Sequence, residues 1–362
     1  MSAITPLLLN WYATHKRVLP WRSSHTAYHI WLSEIILQQT RVDQGLAYYL
    51  KFIDRWPDVH QLAAADEQEV LKMWQGLGYY SRARNLLTAA KQLVNLYDGQ
   101  FPKQAAEIKK LKGVGDYTAA AIASIAFNLP IAVIDGNVFR VISRLFAVDE
   151  PIDTSAGKKT FQLLAAELLD QDKPADYNQA IMEFGALQCT PKNPDCERCT
   201  LRHHCLAFAQ NRVSQLPVKI GKVKVRKRFL NYFVIDGKYQ QKYYTLLRYR
   251  ENGDVWQGLY DFPCIETAAP ACLEELGKED FLKKLKAVAI NIRQQGGIVK
   301  HILTHQQLFA TFYVVNCTDG FEQLKNKSLS LVAQSDLGNY PLPRLIDRFL
   351  LENEDIFKNS NA

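Results

Sequence analysis

The stretch LKGVGDYTAAAIASIAFNLPIAVIDGNVFR, residues 111–140, decides the fold of this chain. Its Gly113, Val114 and Gly115 predict a tight turn, because glycine lets the chain reverse and leaves the backbone N–H groups unobstructed. Small apolar residues from 117 to 127 predict a helix that starts at this turn. The N–H groups at a helix start favour an anion such as a phosphate. The turn therefore predicts a phosphate-binding element.

A lone carboxylate, Asp135, stands at the start of the next predicted helix, residues 138–146. An Asp in this position is a good helix N-cap, worth about 1 kcal/mol of stability. From this residue alone, the capping role is favoured over a catalytic one. A predicted phosphate-binding turn followed by a single acidic residue nevertheless indicates chemistry on a nucleic acid.

Composition bounds the class of the protein. The chain has 362 residues, 48% of them hydrophobic and 22% charged, as in a soluble globular protein of two or three domains. A net charge of +7 permits a nucleic-acid partner without requiring one. No apolar run reaches membrane-spanning length, and the first ten residues, MSAITPLLLN, carry no positively charged leader. We therefore expect a cytoplasmic, nucleoid-associated protein with no membrane partner.

The first part of the chain, residues 1–205, shows apolar residues at three- and four-residue spacing, which predicts helices. Its predicted N-caps are Asp66, Thr154 and Asp176.

The pattern changes at residues 218–228, VKIGKVKVRKR, which hold six basic residues and no acid. Alternation of apolar and polar residues then predicts strands, with helices between them. The expected fold class is multidomain, with an all-α domain followed by an α+β domain. The predicted boundaries are an all-α domain over 1–217, a solvated basic linker over 218–228 and an α+β domain over 229–362.

Four cysteines, Cys189, Cys196, Cys199 and Cys205, have the spacing C-x6-C-x2-C-x5-C. Four thiolates this close in sequence can surround one metal centre. In a reducing compartment such clustering favours a metal site over disulfides. Spacing alone does not separate zinc from an iron–sulfur cluster.

Glu34 lies in an otherwise apolar helical pattern, HIWLSEIILQQT. A carboxylate on such a helix is more often on its solvated face. In an apolar pocket its pKa would rise, which suits a general acid. Residues 74–84, WQGLGYYSRAR, fit either a surface turn or a loop that wedges between DNA bases.

Together these motifs resemble the helix-hairpin-helix DNA glycosylases of the endonuclease III superfamily, and within it the MutY-type adenine DNA glycosylases. The resemblance covers almost the whole chain. The stretches that carry it, besides the glycine turn, Asp135 and the cysteines, are LPWR (19–22), WLSEIILQQTRV (31–42), GLGYYSRARNL (76–86), VWQGLYDFP (255–263) and HILTH (301–305).

The resemblance implies removal of adenine paired with 8-oxoguanine, or with guanine, in double-stranded DNA. The adenine must first be flipped out of the duplex. Glu34 is then expected to protonate its ring at N7, and Asp135 to stabilise positive charge on the sugar. Asn137 and Tyr117 match positions that shape the pocket. The cysteines match the family's [4Fe–4S] loop, and a monomer is expected.

Position 117 separates the relatives. Bifunctional members carry a lysine there, which forms a Schiff base and nicks the strand. Tyr117 cannot form that imine, so we expect a monofunctional enzyme without strong lyase activity.

The resemblance also implies DNA contacts. The phosphate backbone would lie against Gly113, Val114 and Gly115. The opposite 8-oxoguanine would be surrounded by Gln39, Thr40, Leu77 and Tyr79, with Tyr79 wedged into the base stack. The lesion would be sensed by Leu303, Thr304 and His305, where the family commonly shows Phe-Ser-His.

The C-terminal domain resembles the Nudix fold of 8-oxo-dGTP hydrolases. The hydrolase signature needs a dense Arg-Glu-x-x-Glu-Glu helix to hold magnesium. After Gly258 the chain offers only Glu274 and Glu275 in ETAAPACLEELG, with no arginine. We expect this domain to recognise the lesion without hydrolysing nucleotides.

Two alternatives remain. A bifunctional, endonuclease III-like pyrimidine glycosylase with lyase activity is disfavoured by Tyr117 and by the Nudix-like domain. A catalytically silent DNA-damage binder would lack Glu34 or Asp135, and both are present.

Overall fold

The computed structural model describes residues 3–24, 26–221, 225–251, 253–317 and 320–360. Internal contacts divide the chain into two compact units. The first comprises Met1–Ala64 with Asn85–Lys222, and the second comprises Ala65–Arg84 with Val223–Ala362. Residues 65–84 therefore group with the C-terminal part of the chain, although the sequence places them within its helical half.

The α-helices of the described residues follow one another along both units. They are α1 (Ile4–His15), α2 (Pro20–Ser23), α3 (Ala27–Leu37), α4 (Val42–Arg55), α5 (Val59–Ala63), α6 (Glu67–Met73), α7 (Ser81–Tyr97), α8 (Ala105–Ile108), α9 (Asp116–Phe127), α10 (Gly136–Leu145), α11 (Ser155–Leu168), α12 (Pro174–Leu187), α13 (Leu206–Ala209), α14 (Leu273–Leu276), α15 (Asp280–Val288) and α16 (Arg344–Glu352). None of them is long and apolar enough to cross a membrane.

The strands all belong to the second unit. They are β1 (Arg226–Tyr239), β2 (Lys242–Tyr249), β3 (Tyr260–Asp261), β4 (Cys264–Thr267), β5 (Ala289–Gln294), β6 (Val299–Ile302), β7 (Gln306–Cys317) and β8 (Leu329–Ala333). An all-α part followed by a part with a sheet confirms the predicted fold class.

The core of the first unit lies between α1, α10, α11 and α12, where apolar residues at helical spacing meet. Leu8, Ile142, Phe161 and Phe184 are among its fully buried side chains. Helix α9 packs against α3 and α12. Its buried face is made of small residues, which let neighbouring helices approach closely.

The glycine turn between α8 and α9 needs glycine at one of its two positions. Gly113 has a φ of +78°, and a Cβ there would lie 2.7 Å from Cβ of Asn85. Such a backbone conformation is rarely adopted by side-chain-bearing residues. A Cβ at Gly115 would meet nothing within 4 Å. Gly113 therefore fixes the reversal, and Gly115 leaves the start of α9 open.

The second unit is built on a mixed sheet. Strand β1 runs parallel to β7 from the pair Arg226↔Gln306 to the pair Gly237↔Cys317. Strands β2 and β4 pair with β1 antiparallel, and β5 and β6 pair with β7 antiparallel. Helix α15 covers one face, burying Leu282 and Leu285 against Phe233 and Val315.

Two sequence predictions are wrong in detail. The linker predicted over 218–228 is not solvated throughout, because its last three residues begin β1 and Arg228 is only 8% exposed. Its guanidinium donates to Glu266 and Asp254, which neutralise it. Residues 222–224 of that stretch lie outside the described residues. Asp176 is not an N-cap, because α12 starts earlier, at Pro174, with Lys173 in the capping position.

Candidate active site

A cavity of about 490 Å³ in the first unit brings together the four residues expected to be catalytic. Glu34 comes from α3, Tyr117 from the first turn of α9, and Asp135 and Asn137 from the start of α10. The first and last of these residues, Glu34 and Asn137, are 103 positions apart in sequence. The volume is in the range of small-molecule sites.

Glu34 and Tyr117 both line the cavity and are hydrogen-bonded to each other. Oη of Tyr117 donates to Oε2 of Glu34 at 2.7 Å and also lies 3.6 Å from Sδ of Met182. Burial raises the pKa of Glu34 to about 7, although the hydrogen bond from Tyr117 lowers it; nearby Asp135 raises it further. Burial also holds the pKa of Tyr117 well above its usual range, so the phenol stays a donor. Near neutral pH, Glu34 is therefore available as an acid.

Asp135 is the N-cap of α10 and has a different environment. Its Oδ1 accepts from the N–H groups of Asn137 and Val138 at 2.9 and 2.8 Å, and its Oδ2 accepts from the Asn137 amide at 2.7 Å. Burial raises the pKa of Asp135, against these hydrogen bonds and the charge of Arg140, which lower it. Three donors support the ionised form of Asp135, whereas Glu34 receives one hydrogen bond from within the described residues. The two carboxyl groups are thus suited to opposite roles.

An ion-pair group that sequence reasoning missed lines the same cavity. Glu183, only 2% exposed, accepts hydrogen bonds from Arg17 at 2.7 Å and from Arg22 at 2.8 Å. Burial opposes ionisation of Glu183, but these hydrogen bonds outweigh it and lower its pKa to about 2. The pairing joins residues more than 160 positions apart, so no local pattern could have shown it. The motif LPWR was the available signal, since it includes Arg22.

A chain of hydrogen bonds leads from the cavity to the segment that carries the four clustered cysteines, residues 189–205, which we call the cysteine loop. The Asn137 amide bonds Asp135, and Oδ1 of Asn137 accepts from Nη2 of Arg140 at 2.8 Å. Nε of Arg140 donates to the carbonyl of Cys189 at 2.7 Å. Since Arg140 is buried, this chain fixes the start of α10 against the loop.

The four clustered cysteines line one small cavity of about 30 Å³. None of them is in a disulfide. The buried guanidinium of Arg144 reaches Sγ of Cys189 at 3.4 Å and donates to the Thr190 carbonyl at 2.8 Å. A positive group beside the sulfurs suits thiolate ligands. Within the described ranges, no three His, Cys, Asp or Glu side chains are placed to hold a single metal ion.

The residues expected to contact DNA fall in both units. In the first unit, Gly113 and Gly115 are exposed at the start of α9, while Val114 is buried beneath them. Gln39 and Thr40 follow α3, and Gln39 is exposed with a φ of +56°.

In the second unit, two short segments meet. We call residues 76–79 the Tyr79 turn and residues 303–305 the Thr304 loop. The hydroxyl of Tyr79 hydrogen-bonds that of Thr304. Leu77 is buried, whereas Tyr79, Thr304 and His305 are exposed. The structure thus joins the expected stacking residue to the expected lesion-sensing hydroxyl.

The Thr304 loop is a tight connection between β6 and β7. The Leu303 N–H donates to the Gln306 carbonyl at 2.8 Å, and the Arg226 N–H donates to the His305 carbonyl at 2.9 Å. Backbone bonds on both sides leave the side chains of Thr304 and His305 facing outward.

The acidic pair expected to be catalytically silent lies in a very short helix, α14. Oε2 of Glu275 accepts from the backbone N–H of Cys272 at 2.9 Å, so that carboxylate caps its own helix. Glu274 is exposed.

Comparison with known proteins gives two family matches. Residues 32–166 match the HhH-GPD superfamily base excision DNA repair proteins, and residues 233–352 match the NUDIX domain.

The chain also resembles individual proteins. It is 37% identical over 366 residues to an adenine DNA glycosylase of Arabidopsis thaliana, a match that covers 88% of this chain and 58% of the plant protein. It is 36% identical over 261 residues to an adenine DNA glycosylase of Buchnera aphidicola subsp. Baizongia pistaciae, covering 71% of this chain and 72% of that protein. A solved thermostable thymine-DNA glycosylase is 30% identical with a TM-score of 0.54, over 58% of this chain and 96% of its own. The chain thus spans little more than half the length of its plant relative.

Proposed function

This chain belongs to the adenine DNA glycosylases, and we propose that it hydrolyses the N-glycosidic bond of adenine paired with 8-oxoguanine or guanine in double-stranded DNA. The proposal rests on one observation above all. A single cavity holds two carboxyl groups, Glu34 and Asp135, whose hydrogen bonding differs: Asp135 accepts three hydrogen bonds that support its ionised form, whereas Glu34 accepts one and has a pKa raised to about 7. Cleavage of a glycosidic bond calls for such a pair.

The adenine nucleotide would enter the cavity after leaving the duplex, at a cost of a few kcal/mol that is lower at a mispair. The exposed residues Gly113 and Gly115 at the start of α9 would lie against the DNA backbone. Arg17, Arg22 and Glu183 would form a rigid charged wall beside the base, because each is tied to another.

Glu34 would donate its proton to N7 of the adenine, so that the base leaves as a neutral molecule. Its raised pKa keeps a useful fraction protonated near pH 7. Tyr117 holds the Glu34 carboxyl in one orientation through the 2.7 Å hydrogen bond.

Asp135 would face the sugar and stabilise the positive charge that develops as the bond to adenine breaks. Its capping bonds from Asn137 and Val138 fix the carboxylate at the helix start without further reorganisation. Water would then complete the hydrolysis and leave an abasic site.

The cysteine loop would hold a [4Fe–4S] cluster through Cys189, Cys196, Cys199 and Cys205. Four thiols around one cavity, with Arg144 beside Cys189, fit four thiolate ligands. When bound, the cluster would shape a DNA-facing loop rather than take part in hydrolysis.

The Tyr79 turn and the Thr304 loop would read the base opposite the adenine. Their hydrogen-bonded hydroxyls form one exposed polar group that suits the edge of an 8-oxoguanine. Thr304 keeps the hydroxyl of the usual serine, while Leu303 lacks the usual aromatic ring.

The test is base release from duplexes with adenine opposite 8-oxoguanine, guanine or thymine, and from a duplex with thymine opposite guanine. We expect release of adenine, fastest opposite 8-oxoguanine, and abasic strands that stay intact until treated with alkali. Release of thymine alone would overturn the proposal in favour of a pyrimidine glycosylase.

Strand nicking tests the monofunctional assignment. Tyr117→Lys places an amine in the cavity, so we expect borohydride to trap this variant on DNA and not the parent. Equal trapping of the parent would contradict it.

A further inference from the structure

Three side chains that flank the Tyr79 turn grip one short piece of backbone in the same unit. Nζ of Lys72 donates to the Tyr340 carbonyl at 3.0 Å. Oε1 of Gln75 accepts from the Leu342 N–H at 3.0 Å, and Oη of Tyr80 donates to the Leu342 carbonyl at 3.1 Å. We call this arrangement the backbone clamp.

The clamp is buried at Tyr80 and partly buried at Lys72 and Gln75. Tyr80 is 2% exposed, and its hydroxyl also lies 3.4 Å from the Gly76 N–H. Gln75 uses the other end of its amide as well, donating to Oδ1 of Asp347 in α16 at 2.8 Å. Because buried polar groups cost stability when left unpaired, these contacts hold one geometry.

The gripped backbone is itself fixed to the sheet that carries the Thr304 loop. The Tyr260 N–H of β3 donates to the Pro341 carbonyl at 2.9 Å. Phe349 of α16 stacks on Phe312 of β7 with ring centroids 3.8 Å apart. Strand β7 begins directly after the Thr304 loop. The clamp therefore relates the Tyr79 turn to that loop through packed elements.

The Tyr79 turn is also rigid within itself. Nη2 of Arg82 donates to the carbonyls of Leu77 and Gly78, both at 3.2 Å. Its guanidinium lies over the rings of Trp74 and Tyr79, 5.0 and 5.7 Å from their centroids. A turn braced in this way shifts as one body, so its anchor decides where Tyr79 lies.

We propose that Gln75 and Tyr80 are positioning residues that set Tyr79 against Thr304 and thereby determine the preference for 8-oxoguanine opposite adenine. This inference rests on the proposed function and goes beyond it, because it assigns lesion preference to side chains that bind protein backbone and need not touch DNA.

The test compares Tyr80→Phe and Gln75→Met with Tyr232→Phe. The control removes a buried hydroxyl of the same unit that has no hydrogen-bond partner in the described part of the chain. Single-turnover adenine release is measured opposite 8-oxoguanine and opposite guanine, at a temperature where circular dichroism shows every variant folded.

We expect both clamp variants to lower the ratio of the rate opposite 8-oxoguanine to the rate opposite guanine. The fall should be about 3- to 10-fold, the effect of losing one hydrogen bond. The rate opposite guanine should change less than twofold, and the control should keep the parent's ratio. Tyr80→Phe added to Thr304→Val should lower the ratio no further, since both act on one contact.

Three outcomes would each contradict the role proposed for Gln75 and Tyr80. These are an unchanged ratio in both clamp variants, an equal loss of rate on both duplexes, and additive effects in the double variant. A parent that releases no adenine from either duplex would instead overturn the proposed function, so the two failures are distinguishable.

Discussion

The proposed catalytic cavity of the first unit and the proposed lesion-facing surface of the second unit differ in how their polar groups are held. In the cavity, burial raises the pKa of Glu34 to about 7, and an ion pair with Arg22 holds the charged Glu183 in place. At the surface, Tyr79 is 44% exposed and meets Thr304 through two neutral hydroxyls. Bond cleavage requires a change of protonation, which burial can tune, whereas recognition of a base needs only placed donors and acceptors. Substitutions in the two regions should therefore differ in effect by orders of magnitude.

The largest expected effect is that of Glu34→Gln. The amide cannot give up a proton to adenine, so we expect the single-turnover rate of release to fall by about 10²- to 10⁴-fold. Glu274→Gln, an exposed site in the second unit, serves as the control and should match the parent. Full activity of Glu34→Gln would show that the cavity does not supply the acid.

Asp135→Asn should rank next. Asn caps a helix as well as Asp does, so the fold should be kept while the charge facing the sugar is lost. We expect a fall of about 10²- to 10³-fold in the rate of adenine release. Asp66→Asn is the matched control, because Asp66 caps α6 through the same kind of bonds to Gln68 and Glu69. Equal activities of the two variants would leave Asp135 as a cap only.

The pH dependence should separate the regions further. In the proposed mechanism Glu34 acts in its protonated form, so the rate of release should fall about tenfold per pH unit above about 7. Binding to an uncleavable lesion duplex should not show this loss above pH 7, because binding does not require the proton of Glu34. A rate independent of pH between 6 and 9 would contradict the role of Glu34.

The same shift has a consequence for stability. The folded-state pKa of Glu34 is raised from 4.5 to about 7. The contribution of this group to the free energy of unfolding is therefore fully present below pH 4.5 and is lost as the pH rises through 7. Glu34→Gln should therefore raise the free energy of unfolding at pH 8 relative to the parent, by on the order of 1–3 kcal/mol. Thermal unfolding at pH 5 and pH 8 measures it; a variant less stable than the parent at pH 8 would contradict it.

The smallest effect is expected at the surface. Thr304→Val keeps the shape and removes the hydroxyl that meets Tyr79. We expect the preference for 8-oxoguanine over guanine to fall by about 3- to 10-fold, as for one exposed hydrogen bond. Thr267→Val in β4 is the control. A loss of all activity in Thr304→Val would break the distinction between the two regions.

Much of the candidate site could be located from sequence because its residues carry local signals. Asp135 stands directly before a helix, and Glu34 interrupts an apolar pattern. The glycine turn shows its own geometry, since Gly113 does have a positive φ. Roles beyond these signals came from family resemblance, and they remain proposals for individual residues.

What sequence could not show depends on distant pairing. Glu183 becomes a fixed anion only because Arg17 and Arg22 fold against it. Arg228 looked like part of a solvated basic run, but Glu266 and Asp254 neutralise it within the sheet. The helix that begins at Pro174 was placed wrongly, because proline takes the first helical position without needing an N–H partner.

The grouping of residues 65–84 with the second unit matters for anyone who dissects this protein. A fragment ending at residue 217 would keep α6 but lose its partners, including the backbone at 340–342 that Gln75 and Tyr80 hold. Leu71 is fully buried in the whole chain. It lies so close to Gly258 that a Cβ added there would be 2.9 Å from Cδ1 of Leu71. Truncation would therefore expose the apolar surface of Leu71. If that fragment lost its preference for 8-oxoguanine, the loss could come from its damaged fold as much as from the missing recognition domain. Point substitutions in the intact chain are the cleaner way to assign recognition.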